Sequence, residues 1–229
     1  MANYFNLELD TTGPSNPSII VDSGAQYTTD VAGYVNVAVS TGDAVTTNYQ
    51  MKLWGDVDPT ENVDIQPLEA NAGWITFVAS RQVKVSSGDG GKTINLRIRD
   101  DVHNESSTTS DDIIKDSTKP EVTIAGPDVN IISKKVSKNT SSFTFSSTNS
   151  GFEEYKVKAV GTTGSAEDTG TLIPTTNGST NTSGNVGGYL MDDPISVSIN
   201  GSDLELASSG DGIKIIKVFI KDDAGNWSN

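Results

Sequence analysis

At 229 residues and 24.1 kDa the chain has room for two domains of ordinary size, about 100 residues each. Lys+Arg total 16 against Asp+Glu 30, a net charge of -14, which leaves little of the positive surface that a nucleic-acid backbone or an anionic bilayer requires. Cysteine is absent and His103 is the one histidine, which excludes disulfides, thiol catalysis and multi-histidine metal sites.

The chain begins MANYFNLEL, with no basic residue before Lys52 and with Glu8 and Asp10 breaking the apolar positions. That pattern is unlike an export signal, and no window approaches the ~18 apolar residues of a membrane helix. Synthesis in the cytoplasm without a signal peptide is therefore expected, with no membrane insertion and no nucleic-acid partner. Residues 1–9 read as a leading strand in which Phe5, Leu7 and Leu9 share one apolar face. Two readings stand side by side. The segment docks on the edge of a neighbour's sheet, or it is the first strand of a sandwich.

Further along, Val35, Val37 and Val39 alternate with polar or small residues, as do Tyr49, Met51 and Leu53. Period two with one wet face predicts half-buried antiparallel strands. Trp54 and Trp74 are read as core or core-edge aromatics. Ser86–Ser107 then reads SSGDGGKTINLRIRDDVHNESS, and Ser208–Asn229 reads SSGDGIKIIKVFIKDDAGNWSN. These align without a gap at an offset of 122, with 12 identities in 22 positions. Each copy is a Gly-Asp-Gly turn, an alternating strand (Ile94, Leu96, Ile98; Ile216, Val218, Ile220) and a turn rich in Asp and Asn.

A second echo matches Asp10–Pro14 to Asp116–Pro120 at an offset of 106. The units are therefore drawn as a leading strand 1–9, a first domain 10–115 and a second domain 116–229. The second carries a polar loop insertion near 161–188, and Ile113–Pro120 is read as a short linker. Phe143 and Phe145, then Tyr155, Val157 and Ala159, then Ile195, Val197 and Ile199 continue the alternation. No stretch combines helical periodicity with caps at both ends. The fold class expected is all-β, two tandem immunoglobulin-like β-sandwich domains.

The turn-strand-turn unit followed by D-[ST]-T-x-P resembles the bacterial immunoglobulin-like (Big-type) modules. These stand in tandem on bacterial adhesins and decorate the virions of tailed bacteriophages. Module one departs from the pattern where Val102 and His103 replace Ala224 and Gly225, and where Glu105 replaces Trp227. The resemblance implies a scaffold and leaves its role open.

His103 lies between carboxylates, but its counterpart is Gly225, so it reads as a turn position and no enzyme is expected. A calcium ion is the better chemical candidate. Asp100, Asp101 and Asn104 share one turn, and Asp116 opens the next module. Four oxygen donors would converge if the junction brought them together. The competing reading makes them turn formers. Tyr34, Tyr189 and Trp227 are the candidates for stacking on a glycan.

The resemblance and the missing export signal together lead to a specific expectation. The chain would be a non-enzymatic accessory or decoration protein on the capsid, tail or baseplate of a tailed phage. Its location would be the virion surface and its partners capsid or tail proteins, with self-association and a host-surface glycan as further partners. The alternatives are a spacer or carbohydrate-binding module of a bacterial adhesin, and an accessory domain of a secreted enzyme.

Overall fold

The computed structural model describes residues 5–44, 48–175 and 188–229. The chain folds as two units, Met1–Ser117 and Thr118–Asn229, each with its own core.

In the first unit the strands are β1 (Ser18–Val21), β2 (Tyr27–Thr28), β3 (Tyr34–Ser40), β4 (Gln50–Gly55), β5 (Ile75–Thr76), β6 (Ser80–Lys84), β7 (Gly90–Arg99) and β8 (Thr109–Lys115). They form a three-stranded sheet, β1-β3-β6, and a five-stranded sheet, β2-β8-β7-β4-β5. Alternation decides which face is buried. Val35, Val37 and Val39 of β3 meet Met51 and Leu53 of β4 and Ile94, Leu96 and Ile98 of β7 in one core. Each such side chain contributes roughly 1.5–3 kcal/mol by leaving water. Two sheets closing over one apolar core make the unit a β-sandwich.

The second unit holds β9 (Val122–Ala125), β10 (Thr140–Ser147), β11 (Glu154–Val160), β12 (Thr171–Leu172), β13 (Ile195–Asn200), α1 (Gly201–Ala207) and β14 (Ile215–Lys221). Its sheets run β13-β10-β9 and β12-β11-β14, around a core that includes Phe145, Phe152, Tyr155, Val157, Val197 and Ile220. The order reproduces the first unit strand for strand, β9 for β1, β10 for β3, β13 for β6, β11 for β4 and β14 for β7. The sheet has no counterpart of β8 among the described residues. The expected all-β class therefore holds. Among the described residues no helix is long and apolar enough to cross a membrane.

Four local expectations are corrected. Residues 5–9 belong to no strand, so they are not the first strand of the sandwich; that role falls to β1. Ile113–Lys115 are the end of β8, paired with Gly90–Lys92 of β7, and not linker. The 161–188 region is only partly a polar loop. Thr171–Leu172 pair with β11, and Ile173 is fully buried, while residues 176–187 lie outside the described set. Finally, α1 is a true helix. The Asn200 side chain caps it by accepting from the Ser202 N–H at 3.0 Å, and Leu204 and Ala207 pack on the core.

Candidate functional site

The repeated turn is where the sequence concentrates candidate chemistry, and both copies fold identically. Buried Asp100 accepts from the backbone N–H of Asn104 at 2.8 Å and from the Asn104 Nδ2 at 3.0 Å. Buried Asp222 accepts from Asn226 at 2.8 Å and 3.1 Å through the same atoms. Asp100 takes a third bond from the Val102 N–H at 3.0 Å. Two residues past the Asn, Ser106 donates its N–H to the Ile98 carbonyl at 2.8 Å and accepts from the Ile98 N–H at 3.0 Å. Ser228 and Ile220 repeat this at 2.9 Å and 3.1 Å. A buried carboxylate is held here by the backbone of its own turn. His103 and Gly225 both have positive φ, 73° and 100°, which fixes them as turn positions.

The proposed calcium donors separate. Asp100, Asp101 and Asn104 lie beyond the Arg99 end of β7. The register pairs Lys115 with Gly90, which puts Asp116 at the other end of that strand. Ten residues of strand span roughly 30 Å. The four expected donors therefore do not converge within this unit, and no group of three or more His, Cys, Asp or Glu among the described residues could hold a metal.

The three aromatics nominated for glycans are each engaged with their own unit. The Tyr34 hydroxyl donates to Glu61 at 2.9 Å, and Lys84 bridges Glu61 and Asp58 at 3.1 Å each. The bond to Glu61 raises the Tyr34 pKa, and bonds from Tyr34 and Lys84 lower that of Glu61. Asp58 is pulled down to about 2, chiefly by the Thr60 hydroxyl and N–H and then by Lys84. Tyr189 stacks on Phe152 with centroids 4.8 Å apart and packs at the core edge. Trp227 has Lys156 4.2 Å and Lys221 5.4 Å from its ring centroid. Each ring is at least partly covered within its own unit.

One surface is not spoken for in this way. In the second unit an apolar cleft of about 770 Å³ opens between β9 and β14, the outer strands of the two sheets. Its walls include Ile124, Phe143, Ile199, Leu204 and Ile216. Ile124 pairs with core residue Phe145, on the inward face of β9, and is nevertheless 45% exposed. Neither the cleft nor its opening was predicted.

Phe5, Leu7 and Leu9 are exposed, Phe5 to 85%, and form no ladder. The chain becomes anchored just after them. The Asn104 Nδ2 donates to the Asp10 carbonyl at 3.2 Å, and Pro14 is buried. Gly13 lies so near the turn that a Cβ there would stand 2.1 Å from the Glu105 carbonyl oxygen.

No family model matches the chain, and no curated protein matches it. Among solved structures it is similar to the fibronectin(III)-like modules of Clostridium thermocellum CbhA, at 11% identity and a TM-score of 0.43, over 93% of this chain and 90% of that one.

Proposed function

We propose that the chain is a non-catalytic structural module that works by being built into a larger assembly, specifically as an accessory protein on the surface of a tailed-phage virion. One observation carries the structural reading. The candidate chemical groups are occupied in holding their own units together, Asp100 and Asp222 by their turns and Tyr34 by Glu61 and Lys84, while an apolar segment and an apolar cleft remain exposed. Exposed apolar surface of this kind suits protein contact. The phage assignment is supported by the tandem turn-strand-turn resemblance.

In this reading the action is passive. The sandwiches project from a lattice, and the net charge of -14 keeps neighbouring particles apart in solution. The tandem repeat also favours a second reading, a spacer in a bacterial adhesin. Quantitative mass spectrometry of purified particles and of the bacterial envelope fraction from the source culture separates them. Recovery in particles at a fixed copy number relative to the capsid protein is the expected result. Recovery in the envelope alone favours the adhesin, and recovery only as free soluble protein sinks both.

A further inference from the structure

The two repeat offsets, taken together with the sheet order, assign a partner to the open cleft. In the first unit β7 lies between β4 and β8. In the second unit its counterpart β14 pairs with β11 on one side and, among the described residues, with no strand on the other. The consequence is visible at equivalent core positions. Ile94 of β7, beside β8, is 0% exposed, whereas Ile216 is only partly buried; Lys92 is buried, whereas Lys214 is only partly buried.

The chain carries a segment placed like that strand. Asp116–Pro120, which follows β8 directly, matches Asp10–Pro14, which follows residues 5–9 directly. At this offset of 106, Phe5 stands where Asp111 does, Leu7 where Ile113 does and Leu9 where Lys115 does. These are alternate residues of β8 that face β7 and the core; Ile113 and Lys115 are buried. The leading segment therefore presents its apolar side chains at the positions where β8 turns inward. A one-residue shift would have placed Asn6 and Glu8 there instead. Phe5 in place of Asp111 also suits the receiving surface. In the first unit Asp111 accepts from the Val21 N–H at 2.7 Å, whereas the cleft of the second unit is lined by Ile124, Phe143 and Ile216.

We propose that residues 5–9 of one copy of this chain enter the cleft of the second unit of another copy and pair with residues 212–216, which run into the start of β14, as the strand that sheet lacks among the described residues. The register follows from that of β7 with β8, in which Ile94 faces Asp111, Lys92 faces Ile113 and Gly90 faces Lys115. Carried over, Ile216 faces Phe5, Lys214 faces Leu7 and Gly212 faces Leu9, antiparallel. The donated strand then continues into Asp10–Pro14 of its own copy, just as β8 continues into Asp116–Pro120, so the join between copies repeats the connection within one. Backbone bonds along residues 212–216, the start of β14 and the stretch leading into it, supply affinity, and the apolar side chains filling the cleft supply register. This inference rests on the reading of the chain as an assembling module. It names the contact by which copies associate and does not bear on which particle carries them.

The test uses the 229-residue chain, light scattering over a concentration series and engineered cysteines in a background that has none. The mass of the intact chain is expected to rise with concentration. Both residues 10–229 alone and the double variant Phe5→Glu, Leu7→Glu stay monomeric. Because Phe5 and Leu7 touch no core, the double variant leaves both units folded. A synthetic peptide of residues 1–9 binds the 10–229 chain one to one and suppresses assembly of the intact chain. On oxidation the pair Phe5→Cys, Ile216→Cys yields a ladder of cross-linked copies, and the shifted pair Asn6→Cys, Ile216→Cys does so at least tenfold less.

A monomeric intact chain at every concentration overturns the proposal, even if the peptide binds, since that result means closure within one copy. Oligomers that survive in the 10–229 chain or in the double variant overturn it as well. In either case particle recovery still decides the virion reading independently.

Discussion

The two units share a turn, a core pattern and a strand order, yet they close the outer face of the β7 or β14 sheet by different means. In the first unit Arg97 reaches Glu105 and Glu69 at 2.9 Å, and Trp74 lies under Lys52 and Arg99 at 4.7 Å and 4.4 Å. In the second unit the residue matching Arg97 is Phe219, which is fully buried, and the 161–170 segment folds toward it. Lys217 donates to the Ser165 carbonyl at 2.7 Å, while Lys156 and Lys158 both bond Glu167. A tryptophan again meets two cations at positions matching Lys52 and Arg99, namely Lys156 and Lys221. This tryptophan is Trp227, supplied from beyond the turn and not from the residue just before β5. Local chemistry that closes on itself, as in the Asp-Asn turn, survives duplication unchanged. A face covered by a distant segment is refilled by whatever that unit has available.

The comparison is broken most directly in the core. Ile94→Ala should destabilise the first unit by about 4 kcal/mol, as expected for a fully buried isoleucine. Ile216→Ala should cost the second unit only about 1 kcal/mol in dilute protein, because its site is already partly open. Denaturant titrations of the two variants check this, and equal losses would mean that the cleft is closed in solution. Next comes the turn. Asp100→Ala strands three donors and should cost about 3 kcal/mol, with Asp222→Ala close behind it. A twofold disparity in the denaturant midpoint shifts would show that the two turns are not equivalent.

A smaller effect sharpens the same point. Gly225→Ala forces a Cβ into positive φ and should cost about 1 kcal/mol. His103→Gly should be neutral or slightly stabilising, since it gives the first turn the residue used by the second; thermal melts of both variants check the pair.

The units should also differ in which extreme of pH weakens them. Asp58 has its pKa lowered from 3.8 to about 2, so its contribution to the first unit is present above pH 4 and lost as the pH falls toward 2. Tyr155 is raised from 10.0 to about 12 by burial and then by Tyr189, and its hydroxyl has no hydrogen-bond partner among the described residues. Its contribution to the second unit is present below pH 10 and lost as the pH rises toward 12. Asp58→Asn should flatten the acid limb of a pH series of melts and Tyr155→Phe the alkaline limb, each in its own unit.

Strands and turns were legible because both depend on neighbours in sequence. Ile94, Leu96 and Ile98 advertise one buried face, and the Gly88-Asp89-Gly90 turn advertises its two positive φ angles. The placement of Asp116 was not legible, because its distance from Asp100 depends on the direction in which β8 runs back along β7. A non-local register leaves no periodic mark. The helix at Gly201–Ala207 escaped for a different reason. Seven residues present only Leu204 and Ala207 to the core, too few to display a period. Tyr34 and Tyr189 looked like free platforms because an aromatic in a polar stretch gives no hint of Glu61 or Phe152, which approach from elsewhere.

The strand proposed for residues 5–9 and the β14 edge that is unpaired among the described residues belong to different units, which gives any assembly built through them a direction. One end displays an unused donor and the other an unused acceptor, so growth is polar and the contact is not self-complementary. A copy beginning at Asp10 accepts a strand but has none to give, and therefore acts as a chain terminator. Mixed in at a small fraction, it would set the mean length of the assembly without weakening a single contact inside it.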